Sequence, residues 1–283
     1  MLTKVQAYSS WHSAPTLALS PAGREETDLL QIRDIQGLDP VKAGISSTPL
    51  GSVDGTSIGG ASVENRNIVL TIRPNPDWDT WTYESLRRLL YTYFMPKRDV
   101  RLVFYSNDLD TVDIYGVVES VAVNQFSKDP ELVVSIICPD PYFTSLDPTV
   151  VTGKTVPPGG AVTVVNYPGN VETGLNLKVT FAAGQPAPSY IAVQIGNPRL
   201  QYFSVVATVS ATSYFEMNTV QKNKYINNVG IGTGVFTNLY SKINIREGSL
   251  WPNLESGDNQ FFVITDVGLH DWTLTYSERF GGL

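Results

Sequence analysis

The stretch LVVSIICPDPYF, residues 132–143, decides how this chain is read. Leu132, Val134, Ile136 and Cys138 alternate with Val133, Ser135 and Ile137, the two-residue period of a β-strand with one face toward a core. Pro139-Asp140-Pro141 then removes backbone donors and fixes dihedrals, so the strand stops there. Cys138 is the only cysteine, lies in line with three aliphatic residues and has no histidine near it in sequence. Reactive cysteines sit in electropositive, accessible places. Cys138 is therefore read as a buried, inert thiol and the prolines as a rigid strand exit.

The same period continues upstream. Ile68, Leu70 and Ile72 share a face in NIVLTIR, as do Val100, Leu102 and Phe104 in VRLVFY, and Val112, Ile114 and Val118 in TVDIYGVV. SNDLD at 106–110 is a hairpin link, and so is SVDGTSIGG at 52–60, where Asp54-Gly55 tolerates positive φ. One segment breaks the pattern. TYESLRRLLYTYF, 82–94, spaces Leu86, Leu89, Leu90, Tyr93 and Phe94 as one face of an amphipathic helix that covers a sheet. Asp77, Asp79 and Glu84 lie near its positive end, and Met95-Pro96 stops it before Lys97 and Arg98. Arg87 and Arg88 fall toward its polar side, as solvated charges or as contacts for an acidic partner.

After Phe143 the composition turns to SLDPTVVTGKTVPPGGA, a Pro/Gly/Thr-rich linker, which places a domain boundary near residue 146. Eight to ten short, evenly spaced strands follow, among them LNLKVTF, YIAVQIG, NQFFVIT and WTLTYSERF, as in a sandwich. The expected fold is mainly β, in two domains. Residues 1–146 form a β-sandwich with the flanking helix 82–94, and 147–283 form a second β-sandwich. No repeat of about 30 residues supports a propeller or solenoid.

Composition narrows the function. No apolar run reaches the ~20 residues of a membrane span, and the start MLTKVQAYSSWHSAP lacks a secretory h-region, so the chain is expected to be made and kept in a cytoplasm. A single cysteine excludes an internal disulfide, and His12 and His270 are too far apart in sequence for the usual metal spacings. The net charge is -7, with 12 basic and 18 acidic residues in 1–146 and 8 and 9 in 147–283. Neither half has the basic surplus that nucleic-acid binding requires.

Each chemical candidate has a plainer reading. The Asp77/Asp79 pair could ligate calcium or act as paired carboxylates, but its place before a helix is explained by capping. Trp78 and Trp81 are read as packing over the helix start, and GIGTGVF at 230–236 as a glycine-rich turn into a strand. His270, beside Asp271, and His12 are read as surface histidines. A glycan hydrolase built on Asp77 and Asp79, or on Asp140 with a distant carboxylate, needs two carboxylates ~5–10 Å apart in a cleft, and nothing establishes one. No catalytic, cofactor-binding or metal residue is assigned and no cofactor is implied. The chain reads as a binding or structural protein, not an enzyme.

GVVESVAVNQFSK followed by VSIICPDPYF resembles the distal tail protein family of long-tailed, siphovirus-type bacteriophages. The likeness extends through IRDIQGLDPVKA (32–43), VDGTSIGG (53–60), NIVLTI (67–72) and ESLRRLLYTYFMPKRDVRLVF (84–104), then more weakly NYPGNVETG (166–174), SLWPNLESGDNQFFV (249–263) and WTLTYSERFGGL. The first 30 residues match least. The resemblance implies a ring-forming N-terminal sandwich and a galectin-like C-terminal one. It implies a hexameric ring at the virion tail tip, assembled in the host bacterial cytoplasm, between the tail tube protein and the tail-tip hub, with the genome passing through its channel. It also implies outward-facing C-terminal domains available to receptor-binding or side-fibre proteins, and a belt hairpin, mapped to about 46–65, that reaches the neighbouring subunit. A lectin-like receptor-binding protein, holding host saccharides on Trp251, Tyr240 or Tyr276, is the alternative; the His/Asn/Arg/Trp cluster of a galactose site is not matched by His270 with Trp251 or Trp272.

Overall fold

The computed structural model describes residues 2–9, 16–21, 28–49, 51, 54–107, 110–124, 127, 129–157, 160–181, 184–197, 200–207, 209, 212–244 and 251–283. The chain is mainly β and divides into two compact units, Met1–Leu146 with Phe280–Leu283, and Asp147–Arg279.

The first unit contains β1 (Leu2–Tyr8), β2 (Thr16–Pro21), β3 (Leu30–Gln36), β4 (Ala43–Pro49), β5 (Thr56–Val63), β6 (Arg66–Pro74), α1 (Tyr83–Tyr93), β7 (Asp99–Ser106), β8 (Val112–Val123), β9 (Leu132–Cys138) and β10 (Phe143–Ser145). Its ladders run β8-β7-β1-β2-β3-β6-β9, and β9 pairs again with β8, so the strands close a circuit around one core. The seam is thinnest where β2 and β3 run parallel, pairing Ser20 with Gln31 and Pro21 with Ile32. The long β8 makes closure possible. Val117 pairs with Asp99 on one side and Ile137 on the other, and β10 continues along the β9 side, with Thr144 opposite Asp113. The break between β9 and β10 is the Pro139–Tyr142 string, which is what two prolines in four residues dictate.

The alternating residues read from sequence line the interior: Ile68, Leu70, Ile72, Leu102, Leu132, Val134, Ile136 and Cys138 are fully buried. Helix α1 lays Leu86, Leu90 and Tyr93 on this core, with Phe94 after it. Its cap differs from expectation. Thr82 is the N-cap, in a reciprocal capping box with Ser85. Asp77 instead closes the preceding turn, its Oδ1 accepting from the Thr80 N–H (3.0 Å) and the Trp81 N–H (2.7 Å).

The second unit contains β11 (Thr149–Lys154), β12 (Thr163–Tyr167), β13 (Asn176–Thr180), β14 (Tyr190–Gly196), β15 (Leu200–Val206), β16 (Ser213–Asn218), β17 (Tyr225–Gly230), β18 (Phe236–Asn238), β19 (Gly257–Thr265) and β20 (Asp271–Tyr276). They form a six-stranded sheet, β11-β20-β13-β16-β17-β18, and a four-stranded one, β12-β19-β14-β15. Leu177, Val193, Phe215, Phe261, Trp272 and Leu274 are among the side chains of their common core. The last strand, β21 (Arg279–Phe280), lies beside β10 at the end of the first unit's sheet.

Candidate assembly surface

Among the described residues, strands β4 and β5 pair only with each other, antiparallel from Ala43–Val63 out to Pro49–Thr56. The hairpin is three residues longer at its base than the expected 46–65 on the incoming arm and two shorter on the outgoing one. Every residue of both strands is exposed. At about 3.4 Å per residue, a seven-residue arm extends roughly 24 Å.

Its two faces differ. Ala43 pairs with Val63 and Ile45 with Ala61, so these four share a face. Between Ser46 and Ser47 the register shifts, and Ser47 meets Ile58 rather than Gly59. The extra residue brings Ile58 onto the face of Ile45, where strict alternation from Ala61 would have turned it away. The other face carries Gly44, Ser46 and Thr48 opposite Ser62, Gly60 and Ser57. Ile45 and Ile58, 62% and 69% exposed, thus form an aliphatic stripe with Ala61 and Val63 on an element that has no core of its own. A lone two-stranded hairpin is marginal in water, and such a stripe marks a surface to be covered. The sequence reading saw little apolar periodicity here because the bulge breaks it.

Both arms of the hairpin root at one side chain. Arg66, the first residue of β6, is buried. Its Nη1 donates to the Gly37 and Asp39 carbonyls at 2.5 and 2.8 Å, its Nε to the Pro141 carbonyl at 2.6 Å and its Nη2 to the Gly281 carbonyl at 2.5 Å. The guanidinium lies 4.5 Å from the centre of the Phe143 ring. Burial pulls its pKa down, with Cys138 and Asp39 opposing. Gly37 has φ +87°, and a Cβ there would stand 2.0 Å from the Asn67 carbonyl oxygen, so only glycine makes this turn. The Leu283 N–H donates to the Leu38 carbonyl, fastening the last residues to the same root. Cys138 is fully buried, and burial pushes its thiol up to about 12, Arg66 only partly opposing.

Other residues singled out from sequence fall elsewhere. Trp78 does not pack over the helix: it is 72% exposed, with φ +62°, while Trp81 is half-buried against the core. Arg88 and Asp79 are exposed and Arg87 half-buried. His270 is no surface residue. It is fully buried, edge-on to Phe181 at 5.2 Å, with neither ring nitrogen hydrogen-bonded among the described residues. His12 lies outside the described residues. Gly232 and Gly234, at φ +82° and +66°, form the turn from β17 to β18. Of the proposed saccharide platform, Tyr276 is buried with its hydroxyl on the Asn166 carbonyl, and Trp272 is buried too. Trp251 is half-buried between Phe203 and Tyr240, and only Tyr240 stands out. Among the described residues no group of three or more His, Cys, Asp or Glu is placed to hold a metal ion, and no helix is long and apolar enough to cross a membrane.

No protein-family model matches the sequence, and no curated protein matches it. Solved structures do match the fold. The Dit protein (gp 19.1) of phage SPP1, described as a paradigm of the hub adsorption apparatus in phages that infect Gram-positive bacteria, superposes with a TM-score of 0.63 at 17% identity, over 98% of this chain and 99% of that one. A chain of the phage P2 baseplate in its calcium-activated conformation aligns over 97% of this chain and 98% of that one, at 9% identity and a TM-score of 0.44. At such identities what is shared is the fold, and the first of the two carries it.

Proposed function

We propose that this chain is a structural protein of a bacteriophage tail, a distal tail adaptor whose copies join head to tail in a ring. The observation that carries the reading is the β4–β5 hairpin: about 24 Å of paired strand, wholly exposed, with Ile45, Ile58, Ala61 and Val63 on one face. Such a face is satisfied by a second molecule, and a projection that contacts a different patch on the next copy is the heterologous contact that closes into rings. The end-to-end fold match to the SPP1 Dit protein supports the same role. Six copies would form the ring, between the tail tube protein and the tail-tip hub, and the second unit would be offered to receptor-binding or side-fibre proteins. The site of action would be the virion tail tip, after assembly in the bacterial cytoplasm. The work is done by interfaces, without a catalytic step.

Sedimentation of the purified chain across a concentration series tests this, alone and with tail particles lacking it. A species six times the protomer mass is expected, in solution or on the particle. Ile45→Ser with Ile58→Ser should abolish it while leaving the protomer folded. A protomer that stays monomeric and does not join the particles would end the proposal.

A further inference from the structure

We infer that Arg66 sets the direction in which the hairpin leaves its unit, with Gly281–Leu283 as a second support. The inference rests on the reading of the hairpin as the contact to a second copy. Within the described residues the hairpin strands pair with nothing but each other, so their direction is fixed at the neck. Arg66 follows the outgoing arm after Glu64 and Asn65, and its Nη1 holds the carbonyls of Gly37 and Asp39, just before the incoming arm. One guanidinium therefore ties the two ends of the neck together. Its other donors tie that neck to Pro141 and to Gly281. A planar fork serving carbonyls from three segments is a geometric device, and lysine, with three donors on one atom, cannot reproduce it.

The second support is equally specific. A Cβ on Gly282 would lie 2.8 Å from Pro40 Cδ and 3.0 Å from the Leu38 carbonyl oxygen. A side chain there wedges the last residues away from the neck without touching Arg66. Arg66 is thus a positioning residue. It holds in place a contact that it does not make.

The test reads direction and stability separately. Spin labels on Ser57→Cys and Thr92→Cys, both exposed, report the hairpin-to-helix distance distribution in the full chain, with Cys138 too buried to react. The parent should give one narrow distribution. Arg66→Lys and Gly282→Val should each broaden it and raise the concentration needed for assembly about tenfold or more, through lost preorganisation. If Arg66→Lys fails to fold, Gly282→Val decides alone. Unchanged distributions and assembly midpoints in the folded variants would overturn the inference. Ile45→Ser separates it from the reading beneath: a narrow distribution with lost assembly supports both, whereas parental assembly refutes the intersubunit contact and leaves the distances to judge the neck.

Discussion

Inserting one serine between Ser46 and Ser47 should weaken assembly without changing the aliphatic content of the chain. Gly59 is the extra residue of the β5 bulge, and it is what places Ile58 on the face of Ile45. A residue inserted between Ser46 and Ser47 pairs with Gly59 and removes the bulge, so Ser47 still meets Ile58 but strict alternation from Ala61 turns the isoleucine onto the Gly/Ser face. Full burial of an isoleucine stabilises by about 1.5–3 kcal/mol, and Ile58 is 69% exposed in the free protomer. Turning it away therefore forfeits about 1–2 kcal/mol per contact, a roughly 5- to 30-fold weaker contact at 1.4 kcal/mol per decade. The protomer should melt where the parent does, because Ile58 is exposed and, among the described residues, belongs to neither core. Sedimentation velocity over a dilution series gives the midpoint, and calorimetry the protomer stability. An unshifted midpoint would refute the assignment of the apolar face as the docking face. A fall in protomer stability of the same size would instead show that the hairpin packs on its own unit.

Three further outcomes follow from side chains already placed. Cys138, with its thiol raised to about 12 from an ordinary value near 9, should react with a thiol reagent at pH 8 about 10³-fold more slowly than a free cysteine, and denaturant should restore the ordinary rate. Trp78→Asn should stabilise the chain by about 0.5–1 kcal/mol, because asparagine tolerates the positive φ that tryptophan holds there under strain; a lower melting temperature would show that the exposed ring is held by contacts after all. At Asp266, burial pushes the carboxyl up, but hydrogen bonds from the Ser189 hydroxyl and the Tyr190 and Ser189 N–H groups outweigh it, so the pKa in the fold is lowered. Its contribution is then present above the ordinary carboxylate value of about 3.9 and disappears as pH falls through the lower folded one. Melting curves of the parent and Asp266→Ala should differ at pH 7 and converge in acid; a gap that persists at low pH would contradict the cause given.

What the sequence made legible was whatever repeats over short range. Ile68, Leu70 and Ile72, or Leu132 through Cys138, announce a strand because period two is written in adjacent residues, and α1 was readable because five apolar residues keep one helical face. The buried side of β20 was equally open to reading, since Trp272, Leu274 and Tyr276 alternate, and that alternation removes Tyr276 from any exposed platform. The hairpin's apolar face was not, since Ile58, Ala61 and Val63 fit no single period until the bulge at Gly59 is known. Arg66 was invisible for a different reason. Its acceptors are backbone carbonyls at positions 37, 39, 141 and 281, and a carbonyl has no residue type to recognise. His270 was misjudged because its neighbour Asp271 is polar, whereas the imidazole itself turns inward to Phe181.

The return of Phe280–Leu283 to the first unit has a consequence in time. Residues 147–279 are made before those four, so a growing chain carries its whole second unit before the first can be finished. Until Gly281 is in reach, Arg66 has only part of its set of carbonyls, and the hairpin neck is held on fewer sides. Nascent chains on one messenger, crowded together with projecting arms, would then lack a fully aimed arm until residues 280–283 are in place. On the proposed reading, competence to join a neighbour would arrive only once Gly281 has been made.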